Sequence, residues 1–262
     1  MKLPIYQVDA FTGTLFHGNP AAVVILDAWL PDHLLCAIAA ENNLAETAFV
    51  MRGAEAWSLR WFTPTVEVDL CGHATLATAH VLFSRGLCTK SPIAFDTKSG
   101  RLSVDRKDDL YVLDFPARPG TPVPVYADIV AALGATPRAV LRARDLMAVF
   151  DSEAEVVALE PDMARLAALD AFAVIVTARG ESADFVSRFF APAAGIPEDP
   201  VTGSAHCTLT PYWAQQLGRN ELHARQISAR GGELYCRLDG DRVRIAGRAV
   251  DYLEGHIQID NS

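Results

Sequence analysis

Leu70-Cys71-Gly72-His73-Ala74-Thr75 and Pro200-Val201-Thr202-Gly203-Ser204-Ala205 are the two stretches that decide the predicted fold. Each places a glycine where a helix begins, so that the chain turns tightly and a ligand can approach the backbone. The first N–H groups of such a helix have no intrahelical partner, and the helix dipole adds partial positive charge. The two turns therefore predict binding of a small carboxylate. Helix capping by Thr202 or Ser204 is the alternative reading of the second turn.

The two turns belong to a longer internal repeat. Gly203 follows Gly72 by 131 positions, and Gly218 follows Gly86 by 132. A Pro-Asp pair, a Phe-x-Pro turn and a Gly-x-Leu triplet recur at nearly the same spacing. Such self-similarity predicts two related halves. The alternative is two unrelated α+β domains that share similar turns.

Hydrophobic patterns predict the same order of elements in each half. In the first half we predict strands at residues 21–26, 47–51 and 58–62, a turn at 63–70, and helices at 30–42 and 74–85. In the second half we predict strands at 155–159, 172–177 and 185–190, and helices at 161–169 and 205–217. The helix at 74–85 is apolar nearly all round, which is typical of a buried helix. We therefore predict an α+β fold with two pseudo-symmetric lobes, each a mixed sheet or barrel wrapped around a central helix.

A stretch rich in Pro and Gly at residues 115–122 predicts the boundary between the lobes. The N-terminal lobe then covers residues 1–117 and the C-terminal lobe residues 118–262, with room for the extreme C-terminus to pack back on the first lobe.

Composition limits the partners. The chain has 262 residues, 50% of them hydrophobic, and a formal net charge of −9. This charge argues against nucleic acid and anionic membranes, and no apolar run approaches the roughly 20 residues of a membrane span. Five scattered cysteines are typical of a reducing cytoplasm. No CxxC pair and no histidine cluster has metal-ligand spacing, so the sequence predicts no metal.

Two carboxylates stand out because the repeat does not explain them. Glu46 lies where the chain enters a buried strand. Partial desolvation there would raise its pKa towards the range useful for proton transfer. A solvated glutamate at a strand start is the equal alternative. Asp199 lies at the second turn, where it either orients His73, hydrogen-bonds a substrate, or serves only as an Asp-Pro turn residue.

The first turn adds a thiol and an imidazole. His73 at a helix N-terminus is expected to be neutral and to donate or accept a hydrogen bond. Cys71 at the same helix end is a candidate for a thiolate of lowered pKa. Its counterpart in the repeat is Thr202, so a symmetric mechanism with two thiols does not follow. Asn19 lies in the tight turn Gly18-Asn19-Pro20 before the first buried strand.

These motifs together resemble the PhzF family of phenazine biosynthesis-like isomerases, within the diaminopimelate epimerase-like fold. The resemblance rests on Gly18-Asn19-Pro20-Ala21-Ala22-Val23-Val24, Asn43-Leu44-Ala45-Glu46-Thr47, Leu70-Cys71-Gly72-His73-Ala74-Thr75 and Asp199-Pro200-Val201-Thr202-Gly203-Ser204-Ala205, and it runs over essentially the whole chain.

The resemblance implies two pseudo-symmetric lobes with the active site in the cleft, no cofactor, and a homodimer. It puts the catalytic glutamate on Glu46 and the supporting residues on His73, Asp199 and Ser204. Related epimerases and racemases use two opposed cysteines at the two helix ends. This sequence keeps the first as Cys71 and has Thr202 at the second, which favours chemistry with one base.

The sequence thus predicts a cofactor-independent isomerase that moves a proton between carbons of a small carboxylated metabolite, with Glu46, His73 and Asp199 in catalysis. Cys71, Gly72, Thr202, Gly203, Ser204 and Asn19 are the expected substrate-binding residues. Two alternatives stay open: a racemase or epimerase that uses Cys71, and a non-catalytic metabolite-binding protein of the same fold.

Overall fold

The computed structural model describes residues 1–259 and divides into two compact units. The first unit consists of Met1–Asp114 together with the chain from Ala246 onward, and the second is Phe115–Ile245. The C-terminal segment thus returns to the first unit. Within the described residues, no helix is long and apolar enough to cross a membrane.

The first unit is a mixed sheet with two helices. Its strands are β1 (Lys2–Ala10), β2 (Asn19–Leu26), β3 (Glu46–Arg52), β4 (Trp57–Phe62), β5 (Glu67–Val68), β6 (Ile93–Thr97), β7 (Gly100–Lys107), β8 (Leu110–Pro116) and, from the end of the chain, β17 (Ala249–Gln258). Its helices are α1 (Asp32–Asn42) and α2 (Gly72–Ser84). The short strand β5 lies within the stretch 63–70 that was predicted as a turn, because Trp61 and Phe62 of β4 pair with it.

The second unit has more helices than the sequence suggested. Its elements are β9 (Thr121–Val123), α3 (Ala127–Leu133), β10 (Ala139–Arg142), β11 (Leu146–Val149), α4 (Glu153–Ala158), α5 (Met163–Ala167), β12 (Val174–Arg179), β13 (Phe185–Phe190), α6 (His206–Leu217), β14 (Glu221–Gln226), β15 (Gly232–Asp239) and β16 (Arg242–Gly247). Two short 3-10 turns, Pro192–Ala194 and Gly203–Ala205, precede α6.

Strand pairing follows the same order in both units. In the first, β2 runs parallel to β3, β3 antiparallel to β4, β4 parallel to β6, and β6 antiparallel to β7. In the second, β11, β12, β13, β14 and β15 repeat that order of parallel and antiparallel pairs. Because unrelated domains have no reason to share this order, the predicted repeat and two-lobed fold are confirmed.

One predicted strand is wrong. Residues 155–159 lie mostly in helix α4, whose N-cap Ser152 accepts a hydrogen bond from the Glu155 N–H at 3.2 Å. Two acidic residues in its first turn favour a helix. Val156 is buried whereas Val157 is 61% exposed, as on one face of a short surface helix. The counterpart of β2 is instead β11, a continuous buried run of four residues.

After Asn19, strand β2 is apolar to its end because its sheet is covered on both faces. Ala22 and Val24 pack in one core cluster with Leu35 and Ala39 of the outer helix α1. The inner helix α2 packs against β1, β2, β3, β7 and β17. Its buried Leu76, Val81 and Leu82 each contribute about 1.5–3 kcal/mol of hydrophobic stabilisation. This packing fixes the position of the N-terminus of α2.

Candidate active site

The N-terminus of α2 lacks a side-chain cap. Cys71 is the N-cap residue in extended conformation, with φ −142° and ψ 110°, and its side chain makes no capping hydrogen bond. The helix proper begins at Gly72. The Thr75 hydroxyl stabilises this backbone, because it donates a hydrogen bond to the Cys71 carbonyl at 2.5 Å. The first turn of α2 thus has the arrangement of backbone N–H groups that suits an anion.

Glu46 meets His73 beside this helix end. Glu46 begins β3, next to Ala21 of the parallel strand β2. Its Oε2 lies 3.2 Å from His73 Nε2, and the two side chains are 12% and 6% exposed respectively. The contact is close, but Oε2 is buried and receives no hydrogen bond of regular geometry. The imidazole therefore faces this oxygen and positions the Glu46 carboxylate at the site.

Two further side chains fix the His73 ring. The Asn19 amide nitrogen lies 3.2 Å from His73 Nδ1, and Cys71 Sγ lies 3.5 Å from the same ring nitrogen. Asn19 is fully buried and starts β2. Four of the residues singled out from the sequence, Asn19, Glu46, Cys71 and His73, therefore converge in the first unit.

The expected charge states of the thiol and the imidazole are both wrong. Burial and the nearby Glu46 carboxylate raise the pKa of Cys71 to about 11, so the thiol keeps its proton at neutral pH. Burial alone lowers the pKa of His73, but the Cys71 and Glu46 side chains outweigh it, and the pKa lies well above the ordinary 6.5. The neighbouring Cys71 and Glu46 side chains thus set the direction of the pKa shift of His73, and the prediction of a neutral His73, which rested on the helix dipole, does not hold.

The second turn is held by a different set of bonds. The Thr202 hydroxyl donates to Asp199 Oδ2 and makes no helix cap. Both residues are 8% exposed. Gly203 and Ser204 follow in the 3-10 turn, with Gly203 buried and Ser204 half-buried. The alternative prediction, that the Thr202 side chain caps the helix, is therefore wrong. In both repeats the N-cap side chain leaves the first N–H groups of the helix uncapped.

Two residues that bond to this second turn were missed from the sequence. Gln226, at the end of β14, accepts from the Thr202 N–H at 2.8 Å and donates to the Asp199 carbonyl at 2.7 Å. His206 Nδ1 lies 2.9 Å from the Thr202 carbonyl oxygen. Gln226 follows Thr202 by 24 positions and belongs to no motif of the turn. Gln226 is the last residue of β14 and lies between an arginine and an isoleucine, so no signal in the sequence pointed to its role.

The first unit also groups three metal-binding side-chain types. One ligand atom each from Glu46, Cys71 and His73 lies within 4.8 Å of the others. The sequence could not show this group because Glu46 lies on β3, far along the chain from the α2 turn. Spacing along the chain had indicated no metal.

Known proteins share this architecture. A family model described as phenazine biosynthesis-like protein, PhzC-PhzF, matches residues 8–255. A Pseudomonas aeruginosa protein named as an uncharacterized isomerase is 56% identical over 260 residues, which cover 99% of this chain and 100% of that protein. A crystal structure of a PhzF-family phenazine biosynthesis protein from Enterococcus faecalis has a TM-score of 0.97 and 46% identity, covering 99% and 100% of the two chains.

A hydroxyproline epimerase from Agrobacterium vitis shares the fold at only 12% identity, with a TM-score of 0.67 over 99% of this chain and 93% of that chain. Fold and relatives together define an isomerase-type enzyme with a two-lobed, epimerase-like architecture. The chain belongs to the PhzC-PhzF family of phenazine biosynthesis-like proteins.

Proposed function

We propose that this protein is a cofactor-independent isomerase that moves a proton between carbons of a small carboxylated metabolite, with Glu46 as the acid and base. The observation that carries the proposal is the Glu46 carboxylate, 12% exposed, with a buried Oε2 that receives no regular hydrogen bond. Because the side chain is partly exposed, a substrate carbon can be held against the carboxylate, which then accepts its proton. The same carboxyl then returns the proton at a second carbon.

His73 and the helix end supply the electrostatic part of the mechanism. The raised pKa of His73 favours its positive form beside Glu46, and the N-terminus of α2 adds partial positive charge. Both stabilise negative charge that develops on the substrate when a carbon loses its proton. Gly72 allows the substrate to approach the backbone N–H groups. Exclusion of water protects the transferred proton from exchange with solvent.

We further propose that the second turn binds the substrate carboxylate through Thr202, Gly203 and Ser204, with Asp199 as its polar partner. The uncapped N–H groups that follow Thr202 support this role. Thr202 gives its hydroxyl proton to Asp199 and its N–H to Gln226, so in this arrangement it holds the turn in place while Gly203 and Ser204 face the anion. The homodimer implied by the family resemblance is likewise a proposal. Light scattering on the purified protein tests it, and a mass of one chain would contradict it.

Glu46→Gln tests the central proposal. Candidate carboxylated metabolites are incubated with the protein in deuterated water, and deuterium at carbon is measured by mass spectrometry and NMR. We expect exchange with the wild type and a loss of about 10²–10⁴-fold in Glu46→Gln, the usual contribution of general acid–base catalysis. Glu41→Gln, on the exposed side of α1, is the matched control and is expected to exchange at the wild-type rate. Wild-type exchange in Glu46→Gln would contradict the mechanism.

A racemase or epimerase that uses Cys71 is the second candidate, favoured by the 3.5 Å separation between its sulfur and His73 Nδ1. The pKa of about 11 and the hydroxyl of Thr202 at the equivalent helix end weigh against it. Activity that survives in Glu46→Gln but is lost on alkylation of Cys71 would select this candidate. Carboxylate binding without exchange by either residue would select a non-catalytic metabolite-binding protein.

A further inference from the structure

We propose that Glu46, Cys71 and His73 form a binding site for one thiophilic divalent cation, Zn²⁺ or Co²⁺, which blocks the acid–base carboxylate when it binds. Thiolate, imidazole and carboxylate are three ligand types that Zn²⁺ accepts. The structure brings one ligand atom of each to within 4.8 Å of the others. The site needs no metal for the proposed reaction, so the bound cation acts as an inhibitor.

Two of the separations between these atoms lie near those of a tetrahedral site. Zn–ligand bonds of about 2.0–2.3 Å at tetrahedral angles put neighbouring ligand atoms about 3.3–3.6 Å apart. His73 Nε2 lies 3.2 Å from Glu46 Oε2 and 4.0 Å from Cys71 Sγ. The Cys71 sulfur, which lies 3.5 Å from Nδ1, has to move towards Nε2 to complete the three ligand positions. A water or a substrate carboxylate supplies the fourth.

Charge balance also favours the cation. The thiol must lose its proton to become a ligand, and His73 must present a neutral Nε2. A thiolate and a carboxylate then carry two negative charges against the two positive charges of the ion. The partial positive charge at the N-terminus of α2 opposes binding, but it amounts to only about half a unit charge.

Asn19 is the residue that orients the imidazole for this role. Its amide lies 3.2 Å from His73 Nδ1, on the opposite side of the ring from Glu46. When Nε2 binds a metal it gives up its proton, the remaining ring proton stays on Nδ1, and the amide turns over so that its oxygen accepts that proton. Outer partners of this kind fix the orientation of ligating histidines. Glu46 is the most exposed of the three ligand side chains and gives the ion its entry point.

Titration of the metal-free protein with CoCl₂ tests the site directly, because a thiolate bound to Co²⁺ gives a near-ultraviolet charge-transfer band. We expect one equivalent to bind with this band, and ZnCl₂ to displace it. Cys71→Ser is expected to lose the band. Cys36→Ser, a half-buried thiol on α1, is the matched control and is expected to keep it. Asn19→Ala is expected to weaken Co²⁺ binding by about 10–100-fold.

A wild type without the band, or a Cys71→Ser variant that keeps it, overturns the proposal. Circular dichroism and thermal unfolding of each variant establish that it is folded, and Glu46→Gln provides an independent loss of one ligand with almost no change of shape. Inhibition rests on the proposed function, whereas binding does not. If the band forms but ZnCl₂ does not inhibit deuterium exchange, the claim of inhibition is overturned, and the result argues against Glu46 as the base. If the band is absent, the metal site is overturned, but the Glu46→Gln exchange test of the proposed function is unaffected.

Discussion

The Cys71 thiol separates the two mechanisms at the scale of single residues. A base at this position must be a thiolate, yet burial and Glu46 raise its pKa to about 11. The free energy needed to ionise it is then larger than for an exposed thiol. Glu46 offers a carboxylate beside the same helix end, so a base at Glu46 needs no buried thiolate. The residue environments therefore favour chemistry with one carboxylate, even though the two helix ends are matched.

Gly18 is required by the backbone that positions Asn19. Its φ is +66°, and a Cβ at this position would lie within van der Waals overlap of the Ala10 carbonyl oxygen. We predict that Gly18→Ala lowers the free energy of unfolding by roughly 3 kcal/mol, from left-handed strain plus overpacking. Urea denaturation measures it.

Gly86 provides the matched control, since it has the same φ of +66° but nothing within 4 Å of the added Cβ. Gly86→Ala is expected to cost only the backbone term, about 1–2 kcal/mol. Equal losses in the two variants would show that the contact with Ala10 has no energetic consequence. A shift of the His73 NMR signals in Gly18→Ala alone would show that the strain reaches the site through Asn19.

At the scale of elements, a strand end holds the second turn. Gln226 of β14 is 1% exposed and bonds Thr202 and Asp199 at 2.8 and 2.7 Å. We predict that Gln226→Ala lowers the free energy of unfolding by about 2–4 kcal/mol, because it leaves buried backbone groups unsatisfied. The control is Gln216→Ala on the exposed face of α6, which is expected to change stability by less than about 0.5 kcal/mol.

Elements with both faces buried or with a clear helix start were predictable from the sequence. Strand β2 and helices α1, α2 and α6 begin or end within a few residues of their predicted bounds because continuous apolar runs and Gly stops define them. Helix α4 was not predictable, since a pair of Val residues next to acidic residues fits a strand as well as a short surface helix.

The site was predictable only in part. Motif residues in one turn, such as Cys71 and His73, could be grouped from their spacing. The contact of Glu46 with His73 depends on parallel pairing of β2 with β3, which a single sequence does not specify. The hydrogen bonds of Gln226 to the second turn depend on the position of β14 in the sheet, which a single sequence does not specify either. The predicted charge states were wrong because both depend on contacts that the sequence does not show. Burial and Glu46 raise the pKa of Cys71, whereas Cys71 and Glu46 raise the pKa of His73 against the effect of burial.

At the scale of the whole molecule, the repeated strand order contrasts with the unequal chemistry of its two helix starts. In the first, the imidazole of His73 has a raised pKa beside a carboxylate. In the second, burial lowers the pKa of His206 to about 4. Its Nδ1 donates to the Thr202 carbonyl, and its Nε2 is buried without a hydrogen-bond partner. A proton added to Nε2 would therefore have no hydrogen-bond acceptor, which disfavours the charged form of His206. The duplicated fold thus carries one histidine that favours charge and one that resists it.

His206 makes global stability depend on pH in a defined window. Between pH 6.5 and about 4 the unfolded state binds a proton at this residue and the folded state does not, so stability falls as the pH falls. The loss reaches on the order of 3 kcal/mol near pH 4. The effect of His73 on the free energy of unfolding has the opposite sign, since its raised pKa gives stability below pH 6.5 that is lost as the pH rises.

We predict that His206→Asn, which keeps a donor for the Thr202 carbonyl, removes most of the loss of stability that His206 causes at low pH. Urea denaturation of both proteins from pH 7 to 4.5 measures it, with His17→Asn on the exposed loop as control. Parallel stability curves for wild type and His206→Asn would contradict the buried neutral state of His206.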